Sequence, residues 1–177
     1  MFKILKISLV FWALGASPAP HQVHLHLGPA YIHSALPNHP TWGVGIGTGY
    51  LYCVSWCGGL DVDAFFREHQ ALKVQRYGVT ATLAGEVPDS LIPAEWTPQG
   101  PILAKIGGGA FFYLVESTEF DQIPIFNHIV PGLAFSLTYP FYASDLYGLG
   151  ITWDQYLPQL ALANSFFALG LNATFKP

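Results

Sequence analysis

Charge is what this sequence has least of. Asp, Glu, Lys and Arg together make up 10% of its 177 residues, against about 25% in an ordinary soluble domain. With 51% hydrophobic residues and a mean hydropathy of +0.36, too little charge is available to clothe a soluble globule of this size. Long apolar runs are missing too. Beyond the N-terminal stretch, no segment offers the roughly 20 consecutive apolar residues that a membrane-spanning helix needs. High hydropathy without such a helix leaves the bilayer's other solution, a closed β-barrel whose backbone groups all pair between strands. The formal net charge is −4 and no basic stripe occurs, so nucleic acid is not an expected partner. Cysteine is confined to Cys53 and Cys57. Cys-x3-Cys has no second ligand pair nearby, which argues against zinc. A disulfide across the short turn and two free thiols in a hairpin both stay open, export being what would permit the bond.

The start, "MFKILKISLVFWALGASPAPHQ", reads as a secretory signal. Lys3 and Lys6 supply the positive region, Ile7 to Leu14 the apolar region, and Ala13-Leu14-Gly15 a small-x-small cleavage site. The expected division is a signal peptide over 1–19, cleaved between about 15 and 19, and a barrel over 20–177. That barrel length suits eight strands of about 10 residues with their turns.

What the chain does have is alternation. In "SFFALGLNATF" the apolar row Phe167, Leu169, Leu171, Ala173, Phe175 faces one way. The small or polar row Ala168, Gly170, Asn172, Thr174 faces the other, the period-two signature of a strand between two environments. Seven more segments share the pattern, over about 22–33, 41–52, 56–66, 76–87, 101–114, 129–139 and 145–154. The expected fold is therefore an all-β, eight-stranded antiparallel up-and-down transmembrane barrel. The apolar rows would face lipid, Ile102, Ala104, Ile106 and Phe112 among them. In "TWGVGIGTGYLY" Trp42, Val44, Ile46 and Tyr50 would face out. Gly43, Gly45, Gly47 and Gly49 would line the lumen beside bulky neighbours. The external loops would be "SALPNHP", "REHQALKVQ", "VESTEFDQIPIFNH" and "LPQLALA". Short turns are expected near Val54-Ser55 and "PFYASD", with a longer one at 88–100.

Charge obeys the same parity. Asp61, Asp63, Arg76, Glu86, Lys105 and Asp154 all fall on the row away from the apolar one, avoiding the cost of about 2–4 kcal/mol for Lys or Arg facing mid-bilayer lipid. Asp61, Asp63, Arg76, Glu86 and Lys105 are the candidate lumen ion pairs, Lys105 with Glu86 and Arg76 with Asp61 or Asp63. Phe111 and Tyr113 point the same way and would help to fill a narrow interior. His24 and His26 share the inner face of the first strand. They could hold a metal with Asp61 or Asp63, but polar lumen filling accounts for them more simply.

The order of these segments resembles the OmpA-like, eight-stranded outer-membrane barrel family. The stretches that carry the resemblance are "GVGIGTGYLY" with "GGLDVDAFF", then "YGVTATLAGEVP", "PILAKIGGGAFFY", "VPGLAFSLTYPFYASDLYGLGITWDQY" and "SFFALGLNATF". The resemblance implies a Gram-negative-type outer membrane and insertion by the barrel-assembly machinery through the last strand, which in the family commonly ends on an aromatic residue. Phe175 matches that pattern, with Lys176 and Pro177 behind it. The expected partners are outer-membrane lipid and lipopolysaccharide, the assembly machinery, and a ligand of the external loops.

The expected role is structural or surface-interacting, with a side-chain-filled lumen and no wide pore. No catalytic residue, cofactor or metal is expected. The alternatives are a narrow porin and a barrel enzyme acting on lipid A. Ser136 and His128 are the nearest thing to a nucleophile and base, but their spacing fits strand parity poorly and no third group orients the base.

Overall fold

The computed structural model describes residues 21–32, 41–54, 57–69, 72–117, 128–158 and 165–176. The expected signal segment lies outside them. So do the tips of all four expected external loops and Ser55 of one expected short turn.

Eight antiparallel strands close on themselves. They are β1 His21–Ile32, β2 Thr41–Cys53, β3 Cys57–His69, β4 Leu72–Glu86, β5 Leu103–Ser117, β6 His128–Ala143, β7 Tyr147–Pro158 and β8 Phe166–Phe175. Each pairs with its sequence neighbour. The seam is β1 against β8, running from Val23↔Phe175 to Ile32↔Phe166. Closure removes every edge, so each ladder group finds a partner without water.

The alternation sets which way each side chain points. Leu27, Val44, Leu60, Val79, Ile151, Leu169 and Leu171 are exposed on the outside, Leu171 at 66%. Their sequence neighbours His26, Gly45, Asp61, Thr80, Thr152, Ala168 and Asn172 turn inward. The molecule is thus inside-out relative to a soluble barrel: its largest apolar surface is external and its charges are internal. Outward aromatic rings meet toward both ends of the barrel, Tyr31 with Trp42 and Phe66 with Tyr77 toward the loop end and others where β1 begins and β8 ends. His21 meets Tyr50 and Tyr52, and Tyr142 stacks on Tyr147 at 5.5 Å.

Two segments expected as connections are largely strand. "REHQALKVQ" is mostly strand: Arg67 pairs with Val74, Glu68 with Lys73 and His69 with Leu72. Charge interrupts the apolar row there, yet the ladder continues beyond the apolar belt, because backbone pairing does not need a lipid-facing row. "PFYASD" is mostly strand as well. β6 runs on to Ala143 through an irregularity between Pro140 and Tyr142, where the missing proline N–H is tolerated. The turn itself is Ser144–Leu146, closed by the Ser144 N–H on the Tyr147 carbonyl at 2.8 Å.

The long connection between β4 and β5 folds back on the wall. It makes a 3-10 turn at Asp89–Leu91. The Gln99 N–H donates to the Pro140 carbonyl at 3.1 Å, and Trp96 sits edge-on against Tyr139 at 5.7 Å. Ile102 was expected on the exposed outer row. It keeps that parity but is only 2% exposed. Extending the β5–β6 register by one residue places it beside Tyr139, the ring that Trp96 covers.

Candidate functional site

The chemistry-bearing side chains of the described residues meet inside the barrel, in two stacked regions. Toward the loop end, Arg76 of β4 is fully buried. Its guanidinium carbon lies 4.7 Å from the Phe111 ring centre, 4.2 Å from Tyr156 and 4.3 Å from Phe166. Each distance is within cation–π range. Its charge is met by the Asp63 carboxylate of β3. Register explains the meeting: Asp63 stands opposite Gly78 and Phe65 opposite Arg76, so the pair is diagonal across a glycine. A Cβ on Gly78 would meet the Asp63 carboxylate and the Phe111 ring. Phe65 closes the ring edge-on against Phe166 at 5.5 Å, and Phe111 meets Tyr156 at 5.4 Å. These residues form one buried cluster with Ala30, Ile32, Val74, Tyr113, Ala134 and Ala168.

Toward the short-turn end the interior turns polar. Lys105 Nζ donates to Asp61 Oδ1 at 2.9 Å. His26 Nε2 lies 3.9 Å from Asp154 Oδ2. Between these pairs is a cavity of about 10 Å³, lined by Thr80 and Ser136 as well, about the size of one water. Next, His24 Nδ1 is 3.0 Å from Thr174 Oγ1, and the Thr174 hydroxyl donates to Asn172 Oδ1 at 2.9 Å. The single hydroxyl proton is used on Asn172, so the His24 Nδ1–H must be the donor to Thr174. In the neutral ring Nε2 is then a bare acceptor. His24 lines a second cavity, of about 60 Å³, with Gln22, Glu86, Leu103, Asn172 and Lys176. At the end of the barrel Leu51, Ala84 and Leu103 pack around a Cys53–Cys57 disulfide.

The glycine row of β2 is what makes room. A Cβ at Gly43 would meet the Phe65 ring, at Gly47 the His26 ring and at Gly49 the Asp61 carboxylate. Each glycine gives one bulky neighbour the lumen space it needs.

The structure thus brings Arg76 to Asp63 and Lys105 to Asp61. Glu86 is not part of that meeting. It stands in the second cavity near Lys176, so the expected Lys105–Glu86 pair is replaced by Lys105–Asp61. Glu86 stands on a diagonal from Lys105 with the same two-residue offset that Arg76 has from Asp63, but the Lys105 ammonium is held on Asp61 instead. His24 and His26 both face inward but turn to different partners, and among the described residues no cluster of three or more metal-ligating side chains occurs. Sequence reasoning missed Asp154 as the partner of His26. It also missed the ring of Phe65, Tyr156 and Phe166 around Arg76. Inward parity was the available signal. Tyr156 fell just past the boundary drawn for the seventh strand, and Phe166 lay inside "SFFALGLNATF" but was assigned to neither row.

No protein-family model and no curated protein matches this chain. Solved structures do. Neisserial surface protein A (NspA) is similar over 90% of this chain and 98% of its own, with a TM-score of 0.65 at 12% identity. Ail, the attachment invasion locus protein of Yersinia pestis, covers 89% and 98% with a TM-score of 0.57 at 11% identity. The outer membrane protein OprG from Pseudomonas aeruginosa covers 93% and 99% with a TM-score of 0.51 at 10% identity. At these identities the likeness is one of fold: this chain has the closed eight-stranded barrel that small outer-membrane proteins use.

Proposed function

We propose that this protein is a small outer-membrane barrel of the OmpA-like kind. It resides in a Gram-negative-type outer membrane and acts as a structural or surface-interaction protein whose lumen carries no wide pore. The observation that carries this reading is Arg76, fully buried in a ring of Phe111, Tyr156 and Phe166 and paired with Asp63. An eight-stranded barrel is only wide enough for side chains to fill it. The outer apolar rows support a bilayer as its surroundings, with lipid and lipopolysaccharide as its contacts there. The closing strand with Phe175 supports delivery by the barrel-assembly machinery.

The surface partner would be met by the loops. Residues 33–40, 118–127 and 159–164 contain no Lys or Arg, and the two cations of the remaining external connection, Arg67 and Lys73, share it with Glu68. A neutral or apolar partner suits them better than a polyanion, although one Ail structure holds a heparin analogue. A hydrolytic role has little support. Ser136 faces Asp154 across the β6–β7 ladder, and His26 lies on that same carboxylate. The acid, not the imidazole, occupies the middle position, so among the described residues no imidazole is set to take the Ser136 proton.

Two measurements test the reading. Folded protein from an outer-membrane fraction should migrate differently on a gel before and after boiling. Vesicles carrying it should not swell in sugar solutions faster than empty vesicles. Sugar-dependent swelling would replace the filled-lumen reading with a transport role, and acyl trimming or transfer on lipid A would replace it with an enzyme.

A further inference from the structure

The stretch 88–100 has no counterpart in the simple picture of a barrel with short turns at one end. It is built to be compact. Leu91 N–H donates to the Pro88 carbonyl at 2.9 Å, Ile92 N–H to Asp89 at 3.1 Å and Trp96 N–H to Pro93 at 2.9 Å. Pro88, Pro93, Pro98 and Pro101 fix its backbone and remove donors that would otherwise need water. It does not hang free below the barrel. Gln99 ties it to Pro140, and Gly100 lies so close to Ala143 that a Cβ there would come within 3.0 Å of that side chain. Trp96 lies on Tyr139.

The face it touches is the outer one. Thr138 points inward to Thr152, so Tyr139, the next residue, points outward in the row of Leu133, Phe135 and Leu137. Having docked there, the stretch still leaves Leu91 58% and Trp96 48% exposed. Its acidic residues Asp89 and Glu95 are exposed as well. Two large apolar side chains and two carboxylates on one turn-rich stretch make an amphipathic unit. The unit is continuous with the apolar belt at the level of the Tyr142–Tyr147 stack.

We propose that 88–100 is an interfacial collar. It lays Leu91 and Trp96 into the headgroup–acyl boundary of the leaflet at the short-turn end and keeps Asp89 and Glu95 in water. The occupant of this exposed apolar surface is lipid. A tryptophan at that depth is where an amphipathic ring is most stable in a bilayer, and the hydrated headgroup level leaves water for the N–H groups of Asp89, Ser90, Ala94, Glu95, Thr97 and Gly100, which donate to no backbone carbonyl. The inference rests on the membrane reading above.

Two single-tryptophan proteins separate the two. One keeps Trp96 and the other keeps Trp153, with Phe at the remaining tryptophans. Trp153 is outward on β7, between Leu137 and Leu169. Each is reconstituted in vesicles of phosphatidylcholine brominated either high or low on the acyl chain, and folding is verified by the heat-dependent gel shift. The expected result is loss of Trp96 emission chiefly to the shallow bromines, and loss of Trp153 emission to bromines at greater depth. If Trp153 is quenched while Trp96 ignores both lipids and is quenched by aqueous iodide, the collar is overturned and the surface belongs to a soluble envelope partner. If neither is quenched by lipid in folded protein, the membrane reading itself is overturned.

Discussion

The two ends of the lumen hold charge in opposite ways. At the loop end, Arg76 and Asp63 are sealed among Phe65, Phe111, Tyr156 and Phe166. At the short-turn end, Lys105 and Asp61 face a small cavity beside His26 and Asp154, and a larger one opens next to His24 and Glu86. Lys105 and Asp61 keep side-chain exposures of 9% and 13%, against 0% and 2% for Arg76 and Asp63. The sealed pair has no solvent to fall back on if one partner is removed. The hydratable pair has room for water to take a lost partner's place. One region is thus a dry, sealed ring and the other a polar packing layer with room for water.

Arg76→Met should give the largest effect. It strands Asp63 in a dry ring, and breaking a buried pair costs about 3–5 kcal/mol. Urea unfolding in detergent or lipid, followed by the gel shift, measures it. Asp63→Asn should cost less, because the rings still hold the guanidinium. Equal losses for the two would show that the rings contribute nothing.

Next in size is Gly49→Val, which drives a side chain into the Asp61 carboxylate. Overpacking of this kind costs about 1–3 kcal/mol, read from the same unfolding curves. Thr48→Val on the outer row of the same strand should be neutral by comparison.

Lys105→Ala should cost about 1–3 kcal/mol, at the lower end of that range if water reaches Asp61 through the cavity. A loss as large as that of Arg76→Met would erase the distinction between the two ends. The smallest effect belongs to the disulfide. It closes a very short loop, so replacing Cys53 and Cys57 by Ser should cost about 2 kcal/mol or less, visible as a modest shift of the urea midpoint.

The wall was more legible than the sealed ring. Leu169, Leu171 and Asn172 announce their faces because lipid and lumen demand opposite side chains at every step of two. That rule places Asp61, Asp63, Arg76 and Lys105 inside without knowing what each touches. Pairing depends on register and on which neighbours are absent. Gly78 lets Asp63 reach Arg76 on the diagonal, whereas Lys105 leaves the equivalent diagonal to Glu86 unused and turns to Asp61. No local pattern encodes those choices, so the Lys105–Glu86 expectation failed while the inward placement held. The Arg76 ring was hidden for a related reason. Its members come from β3, β5, β7 and β8, and only closure of the barrel assembles them. The 88–100 stretch has no alternation, and its place on Tyr139 follows from tertiary contact alone.

Whether Arg76 and its ring close the lumen is tested most directly by conductance across a planar bilayer, wild type beside Arg76→Ala. The wild-type barrel should pass no steady current, with at most brief, small openings. Arg76→Ala, if it folds by the gel-shift criterion, should show larger and longer ones. A steady wild-type conductance that Arg76→Ala leaves unchanged would contradict that closure and place the conducting path elsewhere.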